Sequence, residues 1–342
     1  MTKKKKTTLG IFTEAIGLYF SNFKQFLKYM SFPVFGQVIG MLLIISSILL
    51  YSKYLPNLIE KYQIFNNINT MVLCSVIVAI PGMTIFIKAF WEYLVAYGAV
   101  NSMLDNMLKS GKVYDFAAHT ELIKRRTPSF VILWLILGIF SLIASFPLFW
   151  VIAGVAAIYL VLTFQVFTYE PELSPIGCLK RSFNLIKGHF ASTFLLMFLS
   201  GLLCWIFIPQ IFTYIFDTIG FNKFLANAIT PALSTLPLNE VNEYLAKFSI
   251  TGISEEFLAS LLISTSIGQI FIQYTLPLRS VLCGLLYKEL NNNSSSPYPA
   301  EKKKISKKRP SEKLMSESNK KFGTKKLDKN ILRRAMEKDD EQ

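Results

Sequence analysis

Six stretches of apolar residues, each near the roughly 20 that a helix needs to cross a hydrocarbon core of about 30 Å, constrain this chain more than any other feature. They run from about Phe32 to Tyr51, Met71 to Val95, Phe130 to Phe146, Leu148 to Tyr169, Ala191 to Phe216 and Phe257 to Leu286. Inside hydrocarbon the backbone must satisfy its own polar groups, which leaves helices or a closed barrel. No polar alternation of the barrel kind occurs, so helices are expected. Pro147 divides an apolar run of about 40 residues into two spans, because it has no N–H to donate and disfavours helix at Phe146. With 52% hydrophobic and 17% charged residues and a mean hydropathy of +0.41, the chain carries more apolar surface than one soluble core absorbs. The expected fold is an all-α integral membrane protein with six transmembrane helices.

Lysine and arginine assign a direction, since basic residues in short loops resist translocation. Lys3, Lys4, Lys5, Lys6, Lys24 and Lys28 precede the first span, and Lys109, Lys112, Lys124, Arg125 and Arg126 lie between the second and third. Lys180, Arg181 and Lys187 separate the fourth from the fifth, and the C-terminal tail is basic throughout. The alternate loops hold Lys53 and Lys61, then almost nothing around Pro147, then Lys223 and Lys247 among acidic residues from Asp217 to Glu256. Both termini are therefore expected in the cytoplasm, with the chain in a cell membrane of the bacterial cytoplasmic kind. Leu9 to Met30 is interrupted by Glu14, Asn22, Lys24 and Lys28 and shows no small-residue cleavage site, so a cleaved signal peptide is not expected. Its apolar residues recur at three or four, the pattern of an amphipathic helix lying in the headgroup layer.

That interfacial pattern occurs twice. Phe12, Ile16, Tyr19 and Phe23 match Leu179, Phe183, Ile186 and Phe190 at a constant shift of 167, and Ile85 to Lys88 is echoed by Ile270 to Gln273 at a shift of 185. Two readings stand. Either a unit of surface helix plus two spans is duplicated as a parallel internal repeat, with the third and fourth spans as connector, or two amphipathic helices coincide by chance.

Residues 1–290 form the expected membrane domain, and 291–342 begin Asn-Asn-Asn-Ser-Ser-Ser-Pro before turning lysine-rich. Such a composition buries too little apolar surface to fold alone, so a disordered cytoplasmic tail is expected. Lys302, Lys303, Lys304, Lys307, Lys308 and Arg309 in the tail, with Lys180, Arg181 and Lys187 nearer the spans, are candidate contacts for the anionic inner leaflet, worth about 1 kcal/mol each. Leu327, Ile331, Leu332, Ala335 and Met336 make a short stripe suited to folding on lipid or on a protein partner. Nucleic acid is disfavoured, because no stacking aromatics accompany the charge.

The stretch Pro171 to Phe190, with Pro-Glu-Leu-Ser-Pro-Ile-Gly-Cys-Leu-Lys-Arg-Ser-Phe-Asn-Leu-Ile-Lys-Gly-His-Phe, resembles the "P..ALKRSW.L.KG.F" segment of a known membrane domain. That domain is attached to some bacterial glycerophosphoryl diester phosphodiesterases and occurs in related stand-alone multi-pass proteins. The resemblance implies a helical membrane domain. In that family the phosphodiesterase chemistry belongs to a separate soluble barrel with acidic and histidine residues. Two histidines and the 52 residues after Leu290 do not supply such a barrel, so the resemblance does not bring the activity with it.

Candidate sites are few. Lys88 and Glu92 lie four apart on one face of the second span. They are either an intramembrane functional pair or, at about 26 Å from Met71 and followed by Trp91, Tyr93 and Tyr97, an anchor at the inner edge. Arg279 either holds a lipid phosphate or anchors the sixth span. Gln165, Gln269, Gln273 and Ser264-Thr265-Ser266 either line a polar path or bond between packed helices. Gly36 and Gly40 permit a close helix approach, and Pro81-Gly82, Pro209 and Pro277 are candidate kinks. His119 and His189 have no second ligand at metal spacing, and Cys74, Cys178, Cys204 and Cys283 form no CxxC. No phosphate loop or nucleophile elbow is present. Hence no catalytic residue, cofactor or metal is expected, and the loop from Asp217 to Glu256 should pack as a short helix on the outer surface or over the bundle mouth. The expected function is a non-enzymatic membrane protein serving membrane or envelope organisation or lipid interaction. Its rivals are a small-solute or lipid transporter with a site between the repeats, and an accessory subunit that binds a cytoplasmic partner through the tail.

Overall fold

The computed structural model describes residues 6–113, 115–234, 238–248 and 252–293, and all regular structure among them is helical. Lys3 to Lys5 and every tail candidate from Lys302 to Met336 lie outside the described residues. α1 covers Thr8–Ser21, α2 Phe23–Lys61 and α3 Ile68–Ser110. After α4 (Phe116–Lys124) and α5 (Thr127–Ala144), Phe146 turns extended and Pro147 opens a single 3₁₀ turn, giving the expected tight hairpin into α6 (Trp150–Leu160) and α7 (Thr163–Tyr169). α8 (Pro175–Ile186) precedes α9 (Phe190–Gly201) and α10 (Ile208–Thr218), which are joined by a π-helical turn. The loop between the last two spans contains α11 (Phe221–Leu233) and α12 (Leu238–Ala246), with α11 packed along α13 (Glu255–Tyr274), and α14 (Leu276–Asn293) completes the chain.

Six helical runs are long and apolar enough to cross a membrane: Phe23–Lys61, Ile68–Ser110, Thr127–Ala144, Pro147–Tyr169, Phe190–Thr218 and Glu255–Asn292. Only 11% to 22% of each apolar window is buried within the protein. Side chains such as Ile39, Leu42, Ile77, Leu135, Ile139 and Phe198 face outward, and lipid is the solvent that tolerates them. The protein is thus a multi-pass helical membrane protein.

The spans pair as three antiparallel hairpins: α2 with α3, α5 with α6, and α9–α10 with α13. At 43 residues, α3 is about 64 Å long, twice a hydrocarbon core. Its outward-facing apolar belt ends at Phe90, and from Val95 to Met107 most of its side chains are buried instead. That second half joins α1, α4, α7, α8 and α14 in a close-packed hub on the side of the lysine-bearing connections, with Phe130, Phe167, Ile186, Val281 and Leu282 at its centre. The hairpins stand on this hub. The expected sixth span, Phe257 to Leu286, is accordingly divided: the helix is interrupted at Thr275, and Leu276 and Pro277 open the hub helix α14.

The two surface helices match in geometry as well as in the spacing of their residues. Thr7 caps α1 by accepting from Gly10 N (3.1 Å), and Ser174, 167 residues later, caps α8 by accepting from Gly177 N (3.2 Å). Ile11, Ala15 and Tyr19 form the buried ridge of α1, while Cys178, Ser182 and Ile186, at the same shift, are buried in α8. The hinges into the spans are Asn22 (φ −116°, ψ 18°) and His189 (φ −125°, ψ 18°), again at that shift. Each helix turns this ridge to the hub and leaves Leu9 and Phe20, or Ile176 and Phe183, exposed on the other face.

Prolines act differently in each setting. Pro209 follows the π turn at Leu202–Phe207, where its missing N–H loosens the backbone ladder. Pro81 sits inside an unbroken α3, and Gly82 beside it serves the close crossing with α2.

Candidate functional site

Where α3, α7 and α14 meet, Asn101, Gln165 and Ser280 are wholly buried. Gln165 Nε2 donates to Asn101 Oδ1 (3.2 Å) and to the Tyr97 hydroxyl (3.3 Å). Ser280 Oγ donates to Asn101 Oδ1 (2.7 Å), and the Tyr169 hydroxyl donates to the Asn101 carbonyl (2.8 Å). Polar groups survive away from water when they serve one another. In this group Asn101 Nδ2 and Gln165 Oε1 are left without a partner. Gln165 is therefore interhelical glue. Gln273 Oε1 accepts from Gln37 Nε2 of α2 (3.4 Å), Gln269 is exposed, and Ser264 Oγ turns back to Ser260 O of its own helix. These side chains do not converge on a polar path.

Lys88 and Glu92 do not pair with each other. α4 brings Lys124 Nζ to 2.9 Å from Glu92 Oε1, and Lys88 Nζ instead lies 5.6 Å from the Phe32 ring centre. Both line a small cleft of about 320 Å³ with Tyr29, Phe32 and Pro33. Spacing along one helix could not reveal Lys124, because α4 is folded back from beyond the end of α3. Arg279 stands just past the break at Thr275: its Nη2 donates to Tyr93 Oη (3.2 Å) and to the Ile272 carbonyl (3.3 Å), and its guanidinium is 5.7 Å from the Trp205 ring centre. It is tied to α3, to the end of α13 and to the π turn rather than extended to a headgroup.

On the lysine-bearing face, Lys180 and Lys187 are exposed and make no ion pair among the described residues. Lys24, Lys28, Lys109 and Lys112 share that condition, a set marked in the sequence by charge alone. Arg181 departs from the lipid-contact expectation. Its side chain is 12% exposed, with Nε donating to Glu170 Oε1 (3.0 Å) and Nη2 to Asn291 Oδ1 (2.7 Å). The Tyr287 hydroxyl donates to the same carboxylate oxygen (2.9 Å), so Arg181 clamps α8 to the ends of α7 and α14.

The rest of the Pro171 to Phe190 segment is similarly engaged. Ser182 Oγ donates to Tyr159 O (2.8 Å) and accepts from Leu162 N (3.2 Å), filling the gap between α6 and α7. Phe183 and Phe190 pack on the Tyr159 ring, and Gly188 takes φ +88° to turn the chain into α9. Burial pushes the Cys178 thiol up to about 11, which leaves it a neutral core residue. His189 lines a cleft of about 400 Å³ with Lys6, Ser192 and Glu289. His119 Nδ1 lies 2.6 Å from Ser102 Oγ, fastening α4 to α3. No cluster of three metal-ligating side chains occurs among the described residues. The largest of the four described clefts, about 770 Å³, is bounded by α1, α2, α10, α11 and α13, and no charged residue lines it. Compared with protein-family models, with curated proteins and with solved structures, the chain matches none.

Proposed function

We propose that this protein is a non-enzymatic, lipid-contacting component of a bacterial cytoplasmic membrane, with its hub and both termini on the cytoplasmic side, where it organises anionic phospholipid. The observation that carries this reading is the distribution of charge: Lys24, Lys28, Lys109, Lys112, Lys180 and Lys187 are exposed without ion-pair partners on the hub face. Near an anionic leaflet each contributes about 1 kcal/mol, so a cluster of this size gives stable attachment and lipid enrichment. Inside the hub, the wholly buried Asn101, Gln165 and Ser280 bond to one another and to Tyr97 and Tyr169, which counts against a transporter whose site lies between the repeated units. The resemblance of residues 171–190 to a phosphodiesterase-linked membrane domain fits a role without the barrel's chemistry.

The test is thermal unfolding of the full chain in bilayer discs made from zwitterionic lipid alone or mixed with phosphatidylglycerol. The melting temperature should rise with the anionic fraction, and replacing Lys109, Lys112, Lys180 and Lys187 together by glutamate should remove most of that rise. An identical melting temperature in both lipids would overturn the reading.

A further inference from the structure

The apolar cleft between the first and third hairpins is concave, ringed by aromatic side chains and, at about 770 Å³, the largest of the four described. Phe23, Leu27 and Phe35 line its α2 wall, and Phe212 and Phe271 stack at 3.8 Å on the wall opposite. The cleft follows α2 from the lysine face to the beginning of the outward-facing apolar belt near Phe32. Its volume, about 770 Å³, lies in the range of sites that enclose a small molecule. Water gains little from walls without charge, whereas hydrocarbon is the surrounding solvent at this depth.

Two lysines flank the α2 wall. Lys24 is three residues before Leu27 and four before Lys28, and Lys28 is three before Ser31, another lining residue. On a helix these spacings place both lysines along the edge of the cleft. Both are exposed, and neither makes an ion pair among the described residues. An occupant must therefore be apolar along its length and anionic at the lysine end. A second copy of this chain, aligned in the same membrane direction, would bring its own lysine face against these lysines, a like-charge contact.

We propose that this cleft holds one acyl chain of an anionic phospholipid from the leaflet on the lysine side, with Lys24 and Lys28 receiving its headgroup phosphate. The inference rests on the lipid-contacting reading and narrows it from a charged surface to a stoichiometric site. Leu27 and Phe35 supply the chain contact, and the two lysines supply the preference for negative headgroups.

Native mass spectrometry of the full chain in mild detergent tests it, with phosphatidylglycerol and phosphatidylcholine of identical chains as competing probes. One phosphatidylglycerol per monomer should be retained. Leu27→Trp, which fills the cleft, should abolish retention, while Leu135→Trp on the outward face of α5 should not. Lys24→Glu with Lys28→Glu should reduce the preference for phosphatidylglycerol by about tenfold or more. If Leu27→Trp does not fold, phosphatidylglycerol carrying a photoreactive group on its acyl chain should label the wild-type peptides around Phe212 and Phe271 first. Retention unchanged in a folded Leu27→Trp, labelling spread evenly over the spans, or a dimer that closes the cleft would overturn the site. Should the melting temperature still follow the anionic fraction through Lys109, Lys112, Lys180 and Lys187, the site alone falls. Loss of both effects removes the broader reading too.

Discussion

At Gly40 an added Cβ would stand 2.6 Å from the backbone nitrogen of Phe86, and at Gly82 it would stand 2.7 Å from that of Ile44. Backbone cannot move aside as a side-chain tip can, so α2 and α3 depend on these glycines for their crossing. Gly40→Val should lower stability by about 1–3 kcal/mol, seen as a depressed melting temperature. On α1, Gly17 has nothing within 4 Å of an added Cβ, and Gly17→Ala should stabilise by about 0.4–1 kcal/mol. A Gly40→Val protein as stable as wild type would show that the helices do not approach this closely. The glycine pair at 36 and 40 was visible in the sequence, but its partner Gly82 was not, because a turn-linked contact has no local spacing. His119 supports a third prediction. Burial beside α3 lowers its pKa below the ordinary 6.5, an effect larger than the opposing pull of Asp115. A depressed histidine gives stability that is full above the unfolded pKa and lost as the pH falls through the folded one. Acidification from neutral pH should therefore destabilise the wild type more steeply than His119→Gln, as followed by melting temperature. Parallel pH slopes in the two proteins would contradict the assignment.

Between the elements, polar side chains do what the apolar pattern does not announce. Ser182 is wholly buried and joins the carbonyl of Tyr159 to the N–H of Leu162, so the fourth span breaks just where α8 crosses it. Ser182→Ala leaves both backbone groups without that partner and should cost about 1–3 kcal/mol. An unchanged unfolding midpoint would mean that the break forms without the serine. The spans themselves were legible, since about twenty apolar residues admit one solution in lipid. The break at Thr275 was only half-visible, through Pro277. The hub was not legible as a unit: its long-range ties run through Asn22, which takes the Val113 N–H at 2.9 Å, and through Asn101, isolated polar residues without a periodic signature. Lys88 and Glu92 show the same limit, because helical spacing suggested a pair that tertiary folding replaced with Lys124. In the Pro171 to Phe190 segment, by contrast, the residues that caught the eye are those that hold α8 in place, Ser174 as cap, Arg181 as clamp and Gly188 as turn.

For the whole molecule, the account rests on three apolar hairpins mounted on one hub, with the lysine-bearing connections all on the hub side of the membrane. The geometric match of Thr7, Ala15 and Asn22 with Ser174, Ser182 and His189 fits two units entering the bilayer from that same side. The turns at the tips of the first two hairpins expose Ile64 and Leu148, Lys223 is exposed early in α11 after the third hairpin's first span, and Lys112 and Lys187 are exposed on the lysine-bearing connections. Single cysteines at these five positions, introduced after the four native cysteines are replaced by alanine, give the most direct measurement when treated with a membrane-impermeant maleimide on intact cells. Ile64→Cys, Leu148→Cys and Lys223→Cys should react from outside, and Lys112→Cys and Lys187→Cys only once the membrane is opened. Reaction of Lys112→Cys and Leu148→Cys from the same side would contradict the six-span arrangement.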